Sequence, residues 1–179
     1  MKIAVFCASS TPNNNRYAKA AEELGKAIAR GGHQLYYGGS NLGLMGVLSG
    51  AVMKEGGYVV AVIPSLFSES IIKSQTVSEL RIVGSMAERK EQMIAEADVF
   101  IALPGGIGTI DEVAEVMVAN QLKQVDKPII LVNIDGFYTH FIAQLEMMQR
   151  EGLMRAERHT GLMVVDSVEA AIESINKRN

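Results

Sequence analysis

Two kinds of segment alternate along the chain. Short runs that are apolar on nearly every residue predict strands buried on both faces of a sheet, because a solvent-exposed face would require polar residues at alternate positions. Between them lie longer segments whose apolar residues recur every three or four positions, which is the spacing of one helix face. In residues 15–30 these positions are Tyr17, Ala21, Leu24 and Ile28.

Glycine or proline ends many of these segments, as is typical of helix and strand boundaries. The predicted strands comprise residues 2–8, 33–37, 58–63, 77–83, 98–103, 127–133 and 162–165. The predicted helices comprise residues 15–30, 44–54, 85–97, 109–123, 137–150 and 168–176. Residues 64–76 have no clear period and are predicted to form a long loop, a feature that is often functional in compact domains.

This alternation predicts an α/β fold. Strands that are apolar on both faces indicate a parallel sheet with helices on both faces, and right-handed crossovers then give a doubly wound, Rossmann-like arrangement. No linker, repeat or low-complexity segment interrupts the alternation, so residues 1–179 are predicted to form a single domain. A chain of this length buries roughly 70% of its unfolded surface and needs no disulfide or metal to fold.

Composition and charge exclude several classes of protein. Hydrophobic residues make up 48% of the chain and charged residues 21%, which is typical of a globular protein and excludes a disordered one. The net charge of −3, without a basic cluster, argues against a nucleic-acid partner. No apolar run approaches the ~18 residues of a membrane span. The single cysteine, Cys7, excludes an intrachain disulfide and fits a reducing compartment, so we expect a cytoplasmic protein.

Glycine or other small residues follow three of the predicted strands. Residues 38–46 read Gly-Gly-Ser-Asn-Leu-Gly-Leu-Met-Gly, residues 104–109 read Pro-Gly-Gly-Ile-Gly-Thr, and residues 7–10 read Cys-Ala-Ser-Ser. Ligands of open parallel sheets bind beyond the carboxyl ends of the strands, where such turns present backbone N–H groups to phosphate. One glycine-rich turn is explained equally well by tight-turn geometry, whereas two favour a phosphorylated ligand. The complete dinucleotide fingerprint and the Walker phosphate-binding loop are both missing.

Charged residues near the second glycine-rich turn are candidates for chemistry. Glu112 lies about one helical turn beyond it, and beside a phosphate a carboxylate suits the role of acid, base or stabiliser of positive charge. Spacing alone favours a simpler interpretation, in which Glu112 is a first-turn acid that stabilises the helix dipole. Arg89 and Lys90 on the preceding helix are likewise expected to form a solvated face, since glutamates flank them. Glu115 shares nearly the same helix face as Glu112, whereas Asp111 is expected to cap the helix or face solvent.

Other reactive residue types give weaker signals. His33, His140 and His159 are scattered without metal-ligand spacing, so no metal site is predicted. Cys7 is expected to be a buried small residue rather than a reactive thiol. The two serines that follow it lack an obvious histidine and aspartate pattern, which disfavours a serine hydrolase. The ten methionines indicate a soft core rather than a cofactor site.

Longer motifs in the same segments resemble the LONELY GUY family of cytokinin-activating phosphoribohydrolases. Residues 104–112, PGGIGTIDE, are similar to that family's PGGxGTxxE motif. MAERK at 86–90 resembles its MHxRK segment, and VFCASS at 5–10 resembles its VFCGSS start. Residues 38–46 resemble its YGGGxxGLMG turn. The resemblance extends over essentially the whole chain.

The resemblance implies hydrolysis of the N-glycosidic bond of a nucleoside 5′-monophosphate, AMP or N6-prenylated AMP, to a free base and ribose 5-phosphate. It implies Arg89 and Glu112 as the catalytic pair. In such a reaction Glu112 would stabilise an oxocarbenium-like transition state, and Arg89 would lower the pKa of that carboxyl group. The implied substrate and phosphate site comprises Ser9, Gly39, Met86, Lys90, Gly105, Gly106, Gly108 and Thr109. No metal or redox cofactor is implied, and the family forms homodimers with active sites near the subunit interface.

The chain also departs from the family pattern near the implied site. Ala87 replaces a histidine, Gln75 a glutamate, Ser40 a glycine and Val118-Ala119 a Thr-Trp pair. These changes leave the preferred base, and the acceptance of a prenyl group, open. The alternative hypothesis is a non-catalytic nucleotide- or molybdenum-cofactor-binding carrier on the same scaffold, since fold alone does not fix function. A lysine decarboxylase is disfavoured, because nothing resembles a lysine-based pyridoxal phosphate site.

Overall fold

A parallel sheet forms the centre of the molecule. The computed structural model describes residues 1–67, 77–154 and 160–177. Within these ranges seven strands form one sheet: β1 (Lys2–Phe6), β2 (Gln34–Tyr37), β3 (Tyr58–Pro64), β4 (Glu79–Val83), β5 (Val99–Ala102), β6 (Ile129–Val132) and β7 (Leu162–Val165). Every pair of neighbours is parallel, in the order β4-β3-β2-β1-β5-β6-β7. The predicted α/β fold with a doubly wound parallel sheet is confirmed.

Helices cover both faces of this sheet, as predicted. They are α1 (Asn15–Arg30), α2 (Gly43–Lys54), α3 (Met86–Glu96), α4 (Ile107–Gln121), α5 (Thr139–Arg150) and α6 (Val168–Asn176). One core cluster packs α1, α2 and α6 against one face. The other packs α3, α4 and α5 against the opposite face. None of the helices in the described ranges is long and apolar enough to cross a membrane.

Side-chain caps explain where several helices begin. The Asn14 side chain accepts a hydrogen bond at the start of α1, and Ser167 does the same for α6, so both helices have their predicted bounds. Ser85 caps α3 by accepting from the Glu88 N–H at 3.1 Å. Helix α4 begins at residue 107, two residues before its predicted start, because Gly106 takes the N-cap position without a side chain.

The predicted loop over residues 64–76 is described only in its first part. Ser65–Phe67 form a short 3₁₀ turn directly after β3. Residues 68–76, which include Gln75, lie outside the described residues, as does His159.

The strand order reverses at the middle of the sheet. The chain runs outward from β1 through β2 and β3 to β4, and then returns by way of α3 to β5 on the other side of β1. The loops that follow β1 and β5 therefore lead to opposite faces and leave a crevice between them. This is the position where an open parallel sheet binds its ligand.

A residue with left-handed backbone ends α4 although it is not glycine. Lys123 has a φ of 59°. The N–H groups of Lys123 and Gln124 donate to the carbonyls of Asn120 and Ala119, both at 2.9 Å, in the pattern of a Schellman cap. A side chain with a β-carbon costs about 1–2 kcal/mol in this conformation. Glycine avoids this cost, but it loses more conformational entropy on folding, which offsets part of the gain.

Lys123→Gly is therefore expected to raise the free energy of unfolding by about 0.5–1 kcal/mol. Urea denaturation of the purified variant measures this change. Lys123→Ala retains the β-carbon and serves as the matched control, for which no gain is expected. Equal stabilisation by both variants would show that strain at this cap is not the cause.

Candidate active site

A cleft of about 440 Å³ lies at the reversal point of the strand order. The loops that follow β1 and β2, the end of β3 and the first turns of α3 and α4 form its walls. All three turns that the sequence predicted for ligand binding therefore meet at one place.

Backbone contacts hold these three turns together. The Ala8 N–H donates to the Pro104 carbonyl at 3.3 Å, and the Ala8 carbonyl accepts from the Met45 N–H at 3.2 Å. Gly43 has a φ of 59°, and a β-carbon there would overlap the backbone of Ser9. The turn after β1 is thus packed between the two glycine-rich turns, which fixes their relative position.

The start of α4 presents bare backbone to the cleft. A β-carbon built on Gly106 or Gly108 meets no atom of the described residues within 4 Å, and both glycines line the cleft. The first N–H groups of a helix have no partner within it, and the helix dipole adds partial positive charge, so this end can bind a phosphate. Thr109 lines the cleft as well, although its side chain is largely buried. Gly105 does not line it; a β-carbon there would overlap Thr109, so Gly105 shapes the turn.

An ion pair lies at the base of the cleft, between α3 and α4. Nη1 of Arg89 lies 2.7 Å from Oε1 of Glu112, and the two side chains are only 5% and 6% exposed. Arg89 Nε also donates to the Val62 carbonyl at 3.1 Å. A β-carbon on Gly38 would overlap the guanidinium. The Arg89 guanidinium is thus held in one orientation against Glu112.

The simpler interpretations of Arg89 and Glu112 are wrong. Arg89 was expected on a solvated face, but it lies on the buried face of α3 together with Met93. Its spacing from Met86 and Met93, three and four residues away, is the helix-face signal that indicated this position. Glu112 is not a first-turn acid, because α4 already begins at Ile107, and its side chain is buried and paired.

The pKa of the Glu112 carboxyl group is raised above its ordinary value. Burial is the largest cause, and it exceeds the opposing effect of the Arg89 charge and hydrogen bond. Arg89 lowers the pKa of this carboxyl group, as expected, but burial, which the sequence did not reveal, raises it by a larger amount. Asp111 raises the pKa further, while Lys90 lowers it. A carboxyl group in this environment is suited to exchange protons nearer to neutral pH.

Lys90 lies outside the cleft lining, as far as the described residues show. Its ammonium pairs with the Asp111 carboxylate at 3.0 Å and also contacts the Glu115 carboxylate. The Lys90 ammonium donates hydrogen bonds to Glu115 and Asp111, and these bonds raise its pKa. The family motif implied that Lys90 lines the nucleotide site, and the structure places it instead between two acids of α4. Asp111 is exposed, as expected, and lines the cleft.

Of the other residues that the family resemblance implies for the substrate site, some line the cleft and some lie next to it. Ser9 and Met86 line it and are exposed, whereas Gly39 is buried behind it. Gly39 has a φ of 78°, and a β-carbon there would overlap Ile63. The lining also contains apolar side chains that the sequence did not single out: Met45, Ile63 and Phe67. They come from separate elements, so no local pattern identifies them.

Two neutral groups interact electrostatically with Glu112. Cys7 is buried, and burial together with the charge of Glu112 raises the pKa of its thiol. This confirms the prediction of a buried small residue. The buried hydroxyl of Tyr138 donates to the Leu103 carbonyl at 2.6 Å, directly before the turn at residues 104–108, and sequence reasoning missed this support. In the part of the chain that the structure describes, no group of three or more His, Cys, Asp or Glu side chains could hold a metal ion.

Comparison with known proteins identifies relatives along most of the chain. A family model described as "Possible lysine decarboxylase" matches residues 45–175. A rice protein (Oryza sativa subsp. japonica), probable cytokinin riboside 5′-monophosphate phosphoribohydrolase LOGL9, is 41% identical over 167 residues, which cover 93% of this chain and 74% of that protein. In Arabidopsis thaliana, cytokinin riboside 5′-monophosphate phosphoribohydrolase LOG1 is 38% identical over 176 residues, which cover 98% of this chain and 81% of that protein.

Solved structures share the fold at lower sequence identity. The molybdenum cofactor binding protein of the phototrophic bacterium Rippkaea orientalis superposes with a TM-score of 0.71 at 26% identity, over 99% of this chain and 94% of that one. The plant relatives are considerably more similar in sequence. On the strength of the matched family model and of this identity along most of its length, the chain belongs to the LOG family of cytokinin riboside 5′-monophosphate phosphoribohydrolases.

Proposed function

We propose that the protein hydrolyses the N-glycosidic bond of a nucleoside 5′-monophosphate, AMP or N6-prenylated AMP, and releases the free base and ribose 5-phosphate. The observation that carries this proposal is the buried Arg89–Glu112 pair beside a bare helix N-terminus in one cleft. The names of the plant relatives support it.

The geometry supports a separate role for each part of the cleft. The N-terminus of α4, with Gly106, Gly108 and Thr109, would hold the 5′-phosphate and thereby position the ribose near the ion pair. As the bond between C1′ and the base nitrogen breaks, its electron pair leaves with the base and positive charge develops on the ribose. Ionised Glu112 would stabilise that charge or accept a proton from the water that attacks C1′. The departing base nitrogen takes up a proton, so that one water molecule is divided between the ribose and the base. Arg89 would orient the carboxylate.

A second candidate is a carrier that binds a nucleotide or molybdenum cofactor without turnover. The likeness to the Rippkaea orientalis structure favours it. Binding alone, however, does not require a buried carboxylate beside the anion site, whereas hydrolysis uses one to stabilise positive charge or to accept a proton. The ion pair therefore favours the hydrolase.

The test is a product assay. Purified protein is incubated with AMP and, separately, with isopentenyl-AMP, and the free base is followed by chromatography. Base release from either nucleotide is expected, and the ratio of the two rates gives the preferred base. Absence of release, with AMP binding still measurable by calorimetry, would favour the carrier.

The pH dependence of the reaction is expected to report Glu112. The hydrolase requires the ionised carboxylate, and the raised pKa means that this form is lost at a higher pH than for an ordinary glutamate. We expect kcat/KM to fall as the pH decreases, with an acid limb clearly above the ordinary glutamate value of about 4.3. Initial rates across a pH series measure it. An acid limb at or below that value would contradict an essential ionised Glu112.

We further propose that the chain acts as one domain, in the cytoplasm, and as a homodimer. Val118 lies in the last turn of α4, and Leu122, four residues further on, is its C-cap residue. The two residues are 51% and 55% exposed. They form an outward apolar stripe on the helix that carries Glu112, and a second copy could cover it. Light scattering of the purified protein tests the dimer.

A cytoplasmic location is consistent with the single thiol, Cys7.

A further inference from the structure

We propose that Lys90 is a positioning residue, which fixes α3 against α4 by pairing with Asp111 and Glu115 and thereby keeps Arg89 and Glu112 aligned. It also neutralises Asp111, whose charge would otherwise act on Glu112. The inference rests on the proposed function and gives Lys90 a role other than contact with the substrate phosphate.

The contact between the two helices is a pair of adjacent ion pairs. Consecutive residues of α3, Arg89 and Lys90, face consecutive residues of α4, Glu112 and Asp111, at 2.7 and 3.0 Å. Glu115, one turn further along α4, contacts the same ammonium. Any rotation or slide of α3 that separates the Lys90 pair would therefore also move the Arg89 guanidinium away from its carboxylate.

The burial of Lys90 sets it apart from other paired lysines. Its side chain is 18% exposed, compared with 42% for Lys2 and 39% for Lys26, which also form ion pairs. Its partners are more exposed, Asp111 at 57% and Glu115 at 35%. The ammonium is therefore screened less by salt than that of a surface lysine, and its two carboxylate partners limit the position of α3 against α4.

Contact with phosphate would work against this arrangement. To reach a phosphate, Lys90 would have to leave both carboxylates, and Asp111 would then stand unpaired on the lining of an anion site. The α4 N-terminus already offers N–H donors to an anion. The geometry therefore assigns Lys90 to the support of the site.

The charge environment of Glu112 explains the electrostatic part of this role. Arg89 and Lys90 face it from α3, Asp111 from its own helix, Cys7 from the turn after β1, and Tyr138 from the segment before α5. The thiol of Cys7 and the phenol of Tyr138 both have raised pKa values and stay neutral. In the part of the chain that the structure describes, Asp111 is a negative charge that raises the pKa of Glu112, and Lys90 is its counter-ion.

The experiment compares Lys90→Met, Lys90→Arg and the double variant Lys90→Met/Asp111→Asn. In Lys90→Met we expect kcat to fall about tenfold because the pair is misaligned, with the KM for AMP nearly unchanged. The acid limb of the pH profile should move to higher pH, since Asp111 loses its counter-ion, and Asp111→Asn in the same chain should move it back. Lys90→Arg should retain most activity. Lys26→Met, which breaks a distant ion pair on α1, is the control and should not change turnover.

Two results would overturn the inference. One is a KM for AMP at least tenfold higher in Lys90→Met, with kcat and the acid limb unchanged, because that is the result expected of a phosphate ligand. The other is a pH profile that Asp111→Asn fails to restore.

If the wild type itself shows no turnover, the hydrolase proposal fails separately, and the inference is then tested by NMR titration of the Glu112 carboxyl carbon. Titration at higher pH in Lys90→Met supports it, and an unchanged titration overturns it.

If Lys90→Met does not fold, a variant that keeps Lys90 tests the same electrostatic role. Asp111→Asn alone removes the exposed negative charge, so the Glu112 titration should move to lower pH. No movement would show that Asp111 does not act on Glu112 and would overturn the electrostatic part of the role.

Discussion

Glu112→Gln is expected to lower kcat by about 10³-fold while AMP still binds. The amide has nearly the shape of the carboxylate, and its oxygen can still accept the hydrogen bond from Arg89. It carries no charge, however, and cannot stabilise a positive ribose or take a proton from water. The α4 N-terminus is unchanged, so the phosphate should bind as before. Chromatographic rates of base release and calorimetry with AMP measure the two quantities.

The stability of Glu112→Gln is the control for this prediction. Burial raises the pKa of Glu112, so the native protein holds this proton more tightly than the unfolded chain does. Wild-type stability should therefore decrease as the pH rises from the ordinary glutamate pKa through the raised one, and remain lower above it. The uncharged amide lacks this dependence. It also leaves the buried Arg89 guanidinium without a counter-ion, so we expect the variant to unfold more easily than the wild type at pH 8, by about 3 kcal/mol.

Three outcomes would contradict the role given to Glu112. Turnover above a tenth of the wild-type rate would remove it from the chemistry. Loss of AMP binding together with turnover would indicate a structural function. An equal loss in Glu146→Gln, the same change on an exposed residue of α5, would show that the effect is not specific to the site.

Gly38→Ala is expected to lower kcat/KM by about 10²-fold through displacement of Arg89. The new β-carbon would overlap Nη2 of Arg89 and lie 3.1 Å from Cε of Met45. The guanidinium cannot retreat freely, because Nε is bonded to the Val62 carbonyl and Nη1 to Glu112. Gly38 does not have a positive φ, so alanine adds no backbone strain and the variant isolates the overlap. A loss of about 1–3 kcal/mol in unfolding free energy should accompany it.

Gly50→Ala is the matched control for this substitution. Gly50 lies inside α2, and a β-carbon there meets no atom of the described residues within 4 Å. Alanine at this position should leave turnover unchanged and raise the free energy of unfolding by about 0.5–1 kcal/mol. If Gly38→Ala retained full activity as well, the orientation of Arg89 would not depend on the missing side chain.

Local signals made the fold predictable from the sequence. The apolar strands are recognisable because both of their faces are buried, and α1 and α6 have their predicted bounds because Asn14 and Ser167 cap them with side chains. The start of α4 was placed too late because its cap, Gly106, has no side chain to indicate it.

The site was predictable only in its turns. Glycine at residues 105, 106 and 108 indicates a turn by itself, but the contact between Arg89 and Glu112 depends on how α3 packs beside α4. The glutamates next to Arg89 favoured a solvated face, although Met86 and Met93 indicated a buried one. The raised pKa of Glu112 was not predictable, since it results from burial, which competes with Arg89. The partners of Lys90 also became clear only from the structure.

The route of the chain through the sheet has a consequence for protein synthesis. Helix α3 brings the chain back from the edge strand β4 to the centre, and it carries Arg89 to a buried position whose counter-ion, Glu112, comes later in the chain. On the ribosome the strands up to β4 emerge before α4 exists. If α3 docked at that stage it would bury an unpaired guanidinium, at a cost of several kcal/mol. We therefore expect the nascent chain to hold α3 undocked until α4 has left the exit tunnel, so that the active site assembles in one late step.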